Sequence, residues 1–427
     1  MDIAGRRILV DGRNLELTQG TGIKTYALSL LQALADSGAD PHVLISKYAR
    51  LKDRQYDTDI FALLNEPADR VPIRPWVATV ARALCGLPVP LRQRPRTANL
   101  ILTRGASGFG FVDRCGFFSL PDCFRVAHRL RHYGVTLRIS TTPAMDLWHA
   151  TYPTPIRVAG VPKVTTIHDL TPLRLPHTTD EDKGHFILML RDAIASSDLL
   201  VTVSETVKRE LVEFFAVDPE RIAVTYQPLA LPGAPPTAGE TAAVLGSYNL
   251  EDQGYILFVG AIEPKKNLNR LIRAYQLLKP DMPLLVIGRK AWMWEPELAA
   301  VEQDRRLKRR IAFLDYVPYA DLPALYAGAR CLAFPSFGEG FGLPALEAMH
   351  YGCPVLAASA GALPEICADA AVFADPYDYR SIADALGTLV SDDGLRERLR
   401  DAGRARAAFF SMANYRARLA DAYGRLR

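Results

Sequence analysis

The sequence predicts an α/β protein made of two Rossmann-like domains that face each other across a cleft. Three observations carry this. Short apolar runs alternate with segments of helical periodicity along most of the chain, the pattern of a parallel sheet covered by helices on both faces. The alternation pauses at residues 229–240 (LALPGAPPTAGE), rich in Pro, Gly and Ala, and then restarts. The chain has 427 residues and a hydrophobic fraction of 49%, too long for one ordinary domain. The expected division is 1–235 and 236–411, with a helix at about 412–427 returning to the first domain.

The first half opens with a strand at 7–11, a loop at 19–24 and a helix whose apolar positions Tyr26, Leu30, Leu31 and Leu34 recur at helical spacing. Strands follow at 42–46, 146–150, 164–168 and 199–203. After the linker, strands are expected at 255–260, 284–288, 312–314, 331–335, 354–358 and 371–374. A helix at 267–278 carries the stripe Leu268, Leu271, Ile272 and Tyr275.

Residues 70–145 fit this scheme less well. They hold Arg92, Arg94, Arg96, Arg125, Arg129, Arg131 and Arg138 against two acids, Asp113 and Asp122. Trp76, Leu100, Phe109, Phe111, Phe117, Phe118 and Phe124 are interleaved, and no clean amphipathic helix emerges from the spacing. Two readings stay open. Cations beside apolar side chains suit the face of an anionic bilayer. Alternatively the arginines face water and the phenylalanines pack inside.

Composition narrows the function classes. The net charge is +4, which demands no nucleic-acid partner. No stretch approaches the roughly 18 apolar residues of a spanning helix. The N-terminus lacks the apolar core of a secretion signal. The six cysteines, Cys85, Cys115, Cys123, Cys331, Cys353 and Cys367, show no CxxC pairing and read as reduced thiols of a cytoplasmic protein.

The segment 335–355 (PSFGEGFGLPALEAMHYGCPV) is the most informative. An apolar strand precedes it, and Pro344 sits where a helix starts, because its missing N–H would be unpaired there. Glu339 therefore lies on a loop and Glu347 inside a helix, with seven residues between them. Small residues let backbone N–H groups approach a ligand, and a helix N-terminus attracts phosphate. A carboxylate on either side suits a ligand that carries hydroxyls next to a diphosphate. Upstream, Phe258-Val-Gly-Ala-Ile-Glu-Pro-Lys-Lys-Asn267 delivers Lys265 and Lys266 from a strand to a loop, with Asn267 expected to cap the next helix. A lysine there is placed to neutralise a diphosphate.

His168 ends a strand and so faces the cleft. Gly20-Thr-Gly22 lacks the third glycine of a dinucleotide fingerprint, since position 25 is Thr25, and excludes a nicotinamide site. Asp57-Thr-Asp59 lies in a polar segment with no strand before it and reads as a solvated loop. No His/Cys cluster appears at metal-ligand spacing and no GxSxG elbow is present, so no metal and no cofactor are expected.

Taken together, the E-x7-E segment, the Lys265-Lys266 loop, His168, Gly20, Gly22 and Pro364-Glu365 resemble retaining glycosyltransferases of family 4, the group 1 transferases. The resemblance covers nearly the whole chain and implies the GT-B fold. It implies transfer of a sugar from a nucleotide diphosphate sugar to a hydroxyl, with the diphosphate leaving from the front face and no protein nucleophile. Lys266 and the amides of Gly340, Phe341, Gly342 and Leu343 would stabilise the diphosphate. Glu347 would hold the ribose, Glu339 the sugar hydroxyls, and His168 would orient the sugar. The Gly20–Gly22 loop would close over the donor phosphate. The backbone at Tyr316 and Val317 would meet the nucleobase.

Where the family places an arginine after the strand glycine, this chain has Ala261, so that phosphate contact is either absent or supplied elsewhere, by Lys265 or Arg289. Within the group, 255–267 and 167–172 are most similar to bacterial polysaccharide mannosyltransferases, which points to GDP-mannose as donor. The acceptor would be a saccharide or lipid-linked oligosaccharide, and the location cytoplasmic, at the inner face of the cell membrane. A nucleotide-sugar isomerase of the 2-epimerase kind shares this architecture and stays open as the alternative; it needs acid/base carboxylates in the cleft and no acceptor.

Overall fold

A computed structural model describes residues 3–16, 22–46, 73–94, 114–229 and 235–426, with only the backbone for 73–75 and 94. In the first half the strands are β1 (Arg7–Asp11), β2 (Asp40–Ile45), β3 (Val89–Pro90), β4 (Arg92–Arg94), β5 (Gly116–Ser119), β6 (Leu137–Ser140), β7 (Leu147–Ala150), β8 (Ile156–Val158), β9 (Lys163–Ile167), β10 (Leu199–Thr202) and β11 (Ile222–Val224). Eight of them form a sheet in the order β11-β10-β9-β7-β1-β2-β5-β4, and β3-β6-β8 form a small side sheet. Every pair in the large sheet is parallel except β4–β5. The second sheet contains β12 (Ile256–Val259), β13 (Leu284–Ile287), β14 (Ile311–Leu314), β15 (Cys331–Phe334), β16 (Val355–Ala358) and β17 (Ala371–Ala374). Its order is β14-β13-β12-β15-β16-β17, all parallel.

This is the doubly wound order, reversing between β12 and β15; the first sheet reverses likewise between β1 and β7. Ligands bind outside the carboxyl ends of the strands at such a reversal, because the chain departs to opposite faces there and leaves a crevice.

The helical stripes behave as their periodicity requires. Tyr26, Leu30, Leu31 and Leu34 are buried in helix Gly22–Asp36, and Leu268, Leu271, Ile272 and Tyr275 in helix Leu268–Leu278. His168 lies one residue past β9 rather than inside it. The end of the expected linker is helical. Helix Ala238–Ser247 starts there on a capping box in which Thr237 accepts from Glu240 N and the Glu240 carboxylate accepts from Thr237 N.

Residues 70–145 also depart from expectation, because helices Ile73–Leu84 and Cys123–Arg131 form there. The second buries Cys123, Phe124, Val126, Ala127 and Leu130 and turns Arg125 and Arg129 outward, an amphipathic pattern too short to stand out in the sequence. Phe117 and Phe118 are buried in β5. Arg96, Leu100, Phe109, Phe111 and Asp113 lie outside the described residues, as do Gly20, Asp57 and Asp59.

Helix Met412–Gly424 returns to the first sheet. Tyr415 meets the Tyr26 ring edge-on at 6.3 Å, and the Tyr423 hydroxyl lies 2.5 Å from His149 Nδ1. All six cysteines are free thiols, and only Cys85 is exposed. Among the described residues no helix is long and apolar enough to cross a membrane.

Candidate active site

The carboxyl ends of the two reversals meet. From β12, a 3₁₀ turn at Pro264–Lys266 presents Lys265 and Lys266. Asn267 follows in the left-handed conformation (φ 62°), which swings its side chain away from the helix it was expected to cap. Its buried Nδ2 instead donates to Pro335 O at 2.9 Å and Pro376 O at 2.8 Å. Glu297 accepts from Asn269 N at 2.8 Å in its place. Asn267 thus ties the lysine turn to the loop after β15, and Phe337 N donates to Lys265 O at 2.9 Å to complete the tie.

That loop carries Glu339. Lys266 Nζ donates to Glu339 Oε1 at 2.6 Å, with 14% and 10% of the two side chains exposed. Burial alone would raise the Glu339 carboxyl, but Lys266 and Lys265 hold it below its ordinary value. Lys265 Nζ sits 4.0 Å from Asp169 Oδ2, across the cleft. Burial would lower this ammonium, yet Glu339, Asp169 and Glu263 together raise it. The site is therefore a partly buried cluster of alternating charge.

Gly340 shows how closely the halves approach. A Cβ there would lie 2.0 Å from His168 O, so only glycine fits. Gly340 O accepts from Ser204 Oγ at 2.8 Å, and Ser204 also caps helix Glu205–Phe215. Glu365 closes the same seam, accepting from Glu205 N at 2.7 Å and Thr206 N at 2.8 Å. Gly342 (φ 104°) precedes helix Leu343–His350, which has proline in its first turn. Phe341 is buried against Phe410, so it can offer only its backbone to a ligand. Gly22 starts the first helix opposite Leu343, whose Cδ1 would lie 4.0 Å from a Cβ there.

His168 Nε2 lies 2.8 Å from the Thr151 carbonyl oxygen and donates to it, which leaves Nδ1 as an acceptor. Burial lowers its pKa, so the ring is a neutral imidazole. Tyr26 braces it edge-on at 4.8 Å. Beneath it, His149 contacts Thr166 Oγ1 at 2.8 Å and is held neutral by burial, its pKa pushed down to about 3. Glu347 Oε2 accepts from the Tyr326 hydroxyl at 3.0 Å, and burial raises its carboxyl.

A cavity of about 240 Å³ opens beside His168, lined by Tyr152, Asp169, Glu181, Phe186 and Lys265. A second of about 140 Å³ adjoins it through Asp169 and is lined by Arg174, Glu210, Glu339, Gly340 and Tyr377. Glu210 pairs with Arg174 at 2.7 Å, yet burial pushes its carboxyl up to about 7.

Residues 246–406 match the family described as Glycosyl transferases group 1, and residues 20–230 match Glycosyltransferase Family 4. The chain is 37% identical over 265 residues to O-antigen chain mannosyltransferase B of Escherichia coli, covering 61% of this chain and 69% of that one. The chain belongs to the family 4, group 1 glycosyltransferases.

This glycosyltransferase is also 33% identical over 291 residues to D-inositol 3-phosphate glycosyltransferase of Salinispora tropica, spanning 62% of this chain and 59% of that one. Its fold is that of Anabaena Alr3699/HepE, solved in complex with UDP-glucose, with a TM-score of 0.67 at 16% identity over 99% of this chain and 100% of that one. The architecture is GT-B.

Tertiary structure thus brings His168, Lys265, Lys266, Glu339, Gly340 and, at the edge, Gly22 and Leu343 to one place. Arg289 stays exposed after β13, and the Val317 side chain is buried in the core. Reading the sequence missed Ser204, Asp169, Glu181 and Glu210. Asp169, adjacent to His168 at a strand end, carried a signal; the others become neighbours of the site only through packing.

Spacing along the chain also did not show one group of histidines: His128, His132 and His185 place one ring nitrogen each within 4.8 Å of the others. The third histidine comes from a different helix.

Proposed function

We propose that this glycosyltransferase moves mannose from GDP-mannose to a hydroxyl of a saccharide or lipid-linked glycan in bacterial surface polysaccharide synthesis, with retention of anomeric configuration and without a metal. The observation that carries it is the Lys266–Glu339 pair, set against His168 and Asp169 where both sheet reversals meet beside a helix N-terminus. The mannose assignment rests on the likeness to the E. coli mannosyltransferase.

In this reading Lys266, Lys265 and the amides at Gly340–Leu343 take the diphosphate, a preorganised electrostatic site. Glu339 accepts hydrogen bonds from sugar hydroxyls, Glu347 holds the ribose through its carboxylate, and His168 Nδ1 accepts a hydrogen bond from a sugar hydroxyl. The cavity beside His168 receives the acceptor. Residues 1–235 with helix Met412–Gly424 form the acceptor half, and 236–411 the donor half.

A cytoplasmic location, peripheral to the inner face of an anionic membrane, goes with a lipid-linked acceptor. Exposed Val77, Leu84, Leu87 and Tyr133 beside exposed Arg82 and Arg129 support it.

A thermal-shift screen against GDP-, UDP- and dTDP-sugars, followed by NMR of the product, tests the reading. GDP-mannose should stabilise the fold most, since stabilisation follows occupancy. Nucleotide release should require acceptor, and the new linkage should keep the donor's anomeric configuration. Stronger stabilisation by a UDP-sugar, or an inverted product, would overturn it.

A further inference from the structure

Three histidines outside the cleft form a second chemical centre. His128 lies in helix Cys123–Arg131, and His132 follows with helical backbone angles (φ −58°, ψ −20°), so the two stand one turn apart on one face. His185 is in the first turn of helix Lys183–Ser196, where the Asp182 carboxylate accepts from its backbone N–H at 2.6 Å and fixes the turn. The ring centroids are 4.4 Å apart for His128–His185, 5.7 Å for His128–His132 and 5.9 Å for His132–His185. The two helices are pinned together by Arg131, whose Nε donates to Asp192 and whose Nη2 donates to Leu188 O at 2.5 Å.

We propose that His128, His132 and His185 bind one late first-row divalent cation, of the zinc, nickel or copper class, through three neutral imidazole nitrogens. Three imidazoles from two helices match that class, whereas magnesium and calcium prefer oxygen. A Zn–N bond of about 2.0–2.1 Å places tetrahedral ligand atoms roughly 3.4 Å apart. The nitrogens here span up to 4.8 Å, so ring rotations that move each by about an ångström close the site, with no backbone shift. Arg13 and Arg131 lie nearby and oppose a cation, but Arg131 is engaged by Asp192, and the guanidinium of Arg13 sits 5.3 Å over the Tyr152 ring. The fourth position is left to water.

The site has a structural consequence. Helix Lys183–Ser196 supplies Phe186 and Leu190 to the cavity beside His168. A metal joining it to helix Cys123–Arg131 would fix that wall, and it takes no part in the glycosyl transfer.

The test is calorimetry with Zn²⁺ on the untagged full chain, with Mg²⁺ as control, repeated on His132→Asn and His185→Asn. His132 is exposed, so His132→Asn leaves the core intact, and circular dichroism checks both folds. The expected result is one equivalent of Zn²⁺ in the parent, no saturable Mg²⁺ binding, and at least about tenfold weaker Zn²⁺ binding in each folded variant. Co²⁺ should give the intense visible absorption of a tetrahedral nitrogen site in the parent and lose it in His132→Asn. Absence of saturable Zn²⁺ binding to the parent, or equal affinity in parent and His132→Asn, overturns the proposal.

Discussion

Replacing Glu339 by Gln should tighten the binding of a free nucleoside diphosphate while slowing the enzyme. The carboxylate now sits 2.6 Å from Lys266 Nζ, the group assigned to the diphosphate, so an incoming anion meets a cation that is already neutralised. Two unit charges at about 4 Å interact by roughly 4 kcal/mol at an effective dielectric constant of 20. Relaxation and the second cation, Lys265, reduce the repulsion felt by the ligand to about 1 kcal/mol, or roughly fivefold in Kd. Turnover moves the other way. The amide loses a charge-assisted bond to the sugar, worth about 1.5–3 kcal/mol, which is roughly 10- to 100-fold in kcat.

The sign of the pH effect on stability follows from the lowered pKa of Glu339. A carboxyl held below its unfolded value contributes stability above about pH 4.3 that is lost as pH falls through its folded pKa. The gap in Tm between parent and Glu339→Gln should therefore be widest near neutrality and close in acid. Calorimetry with GDP, steady-state kinetics and Tm against pH read the three quantities. Weaker GDP binding in a folded Glu339→Gln protein, with unchanged kcat, would refute the assignment of Lys266 and Glu339.

Four further outcomes are expected. Glu347→Ala should weaken donor binding about 10- to 100-fold, read by calorimetry, because one ribose contact to a charged group is lost. Gly340→Ala should leave the core folded but cut turnover sharply, since its Cβ would lie 2.0 Å from His168 O and force the halves apart; parental kinetics would contradict this. Turnover should survive EDTA, because lysines and helix amides carry the diphosphate charge, and recovery only on adding manganese or magnesium would count against it. Binding to anionic vesicles in co-sedimentation should fall with salt and with Arg92, Arg94 and Arg96 changed to Ser; a chain that stays in the supernatant at low salt would remove the membrane reading.

Local features were legible from the order of residues alone. Buried parallel strands leave continuous apolar runs, so β1, β7, β9 and β12–β17 were legible within a residue or two. Turn chemistry is equally local: Pro344 after Gly342 marked the helix that carries Glu347, and the loop ahead of it gave Glu339 its place. Tertiary structure decided the rest, because it joins residues far apart in the chain. Asn267 looked like a cap, and its left-handed backbone made it a tie between loops 68 and 109 residues away. Lys266 and Glu339 were each visible, but that they neutralise one another across 73 residues was not. Helix Cys123–Arg131 and its histidine partner on helix Lys183–Ser196 were hidden for the same reason: a nine-residue amphipathic pattern is weak in isolation, and the burial that stabilises it exists only once the sheets have closed.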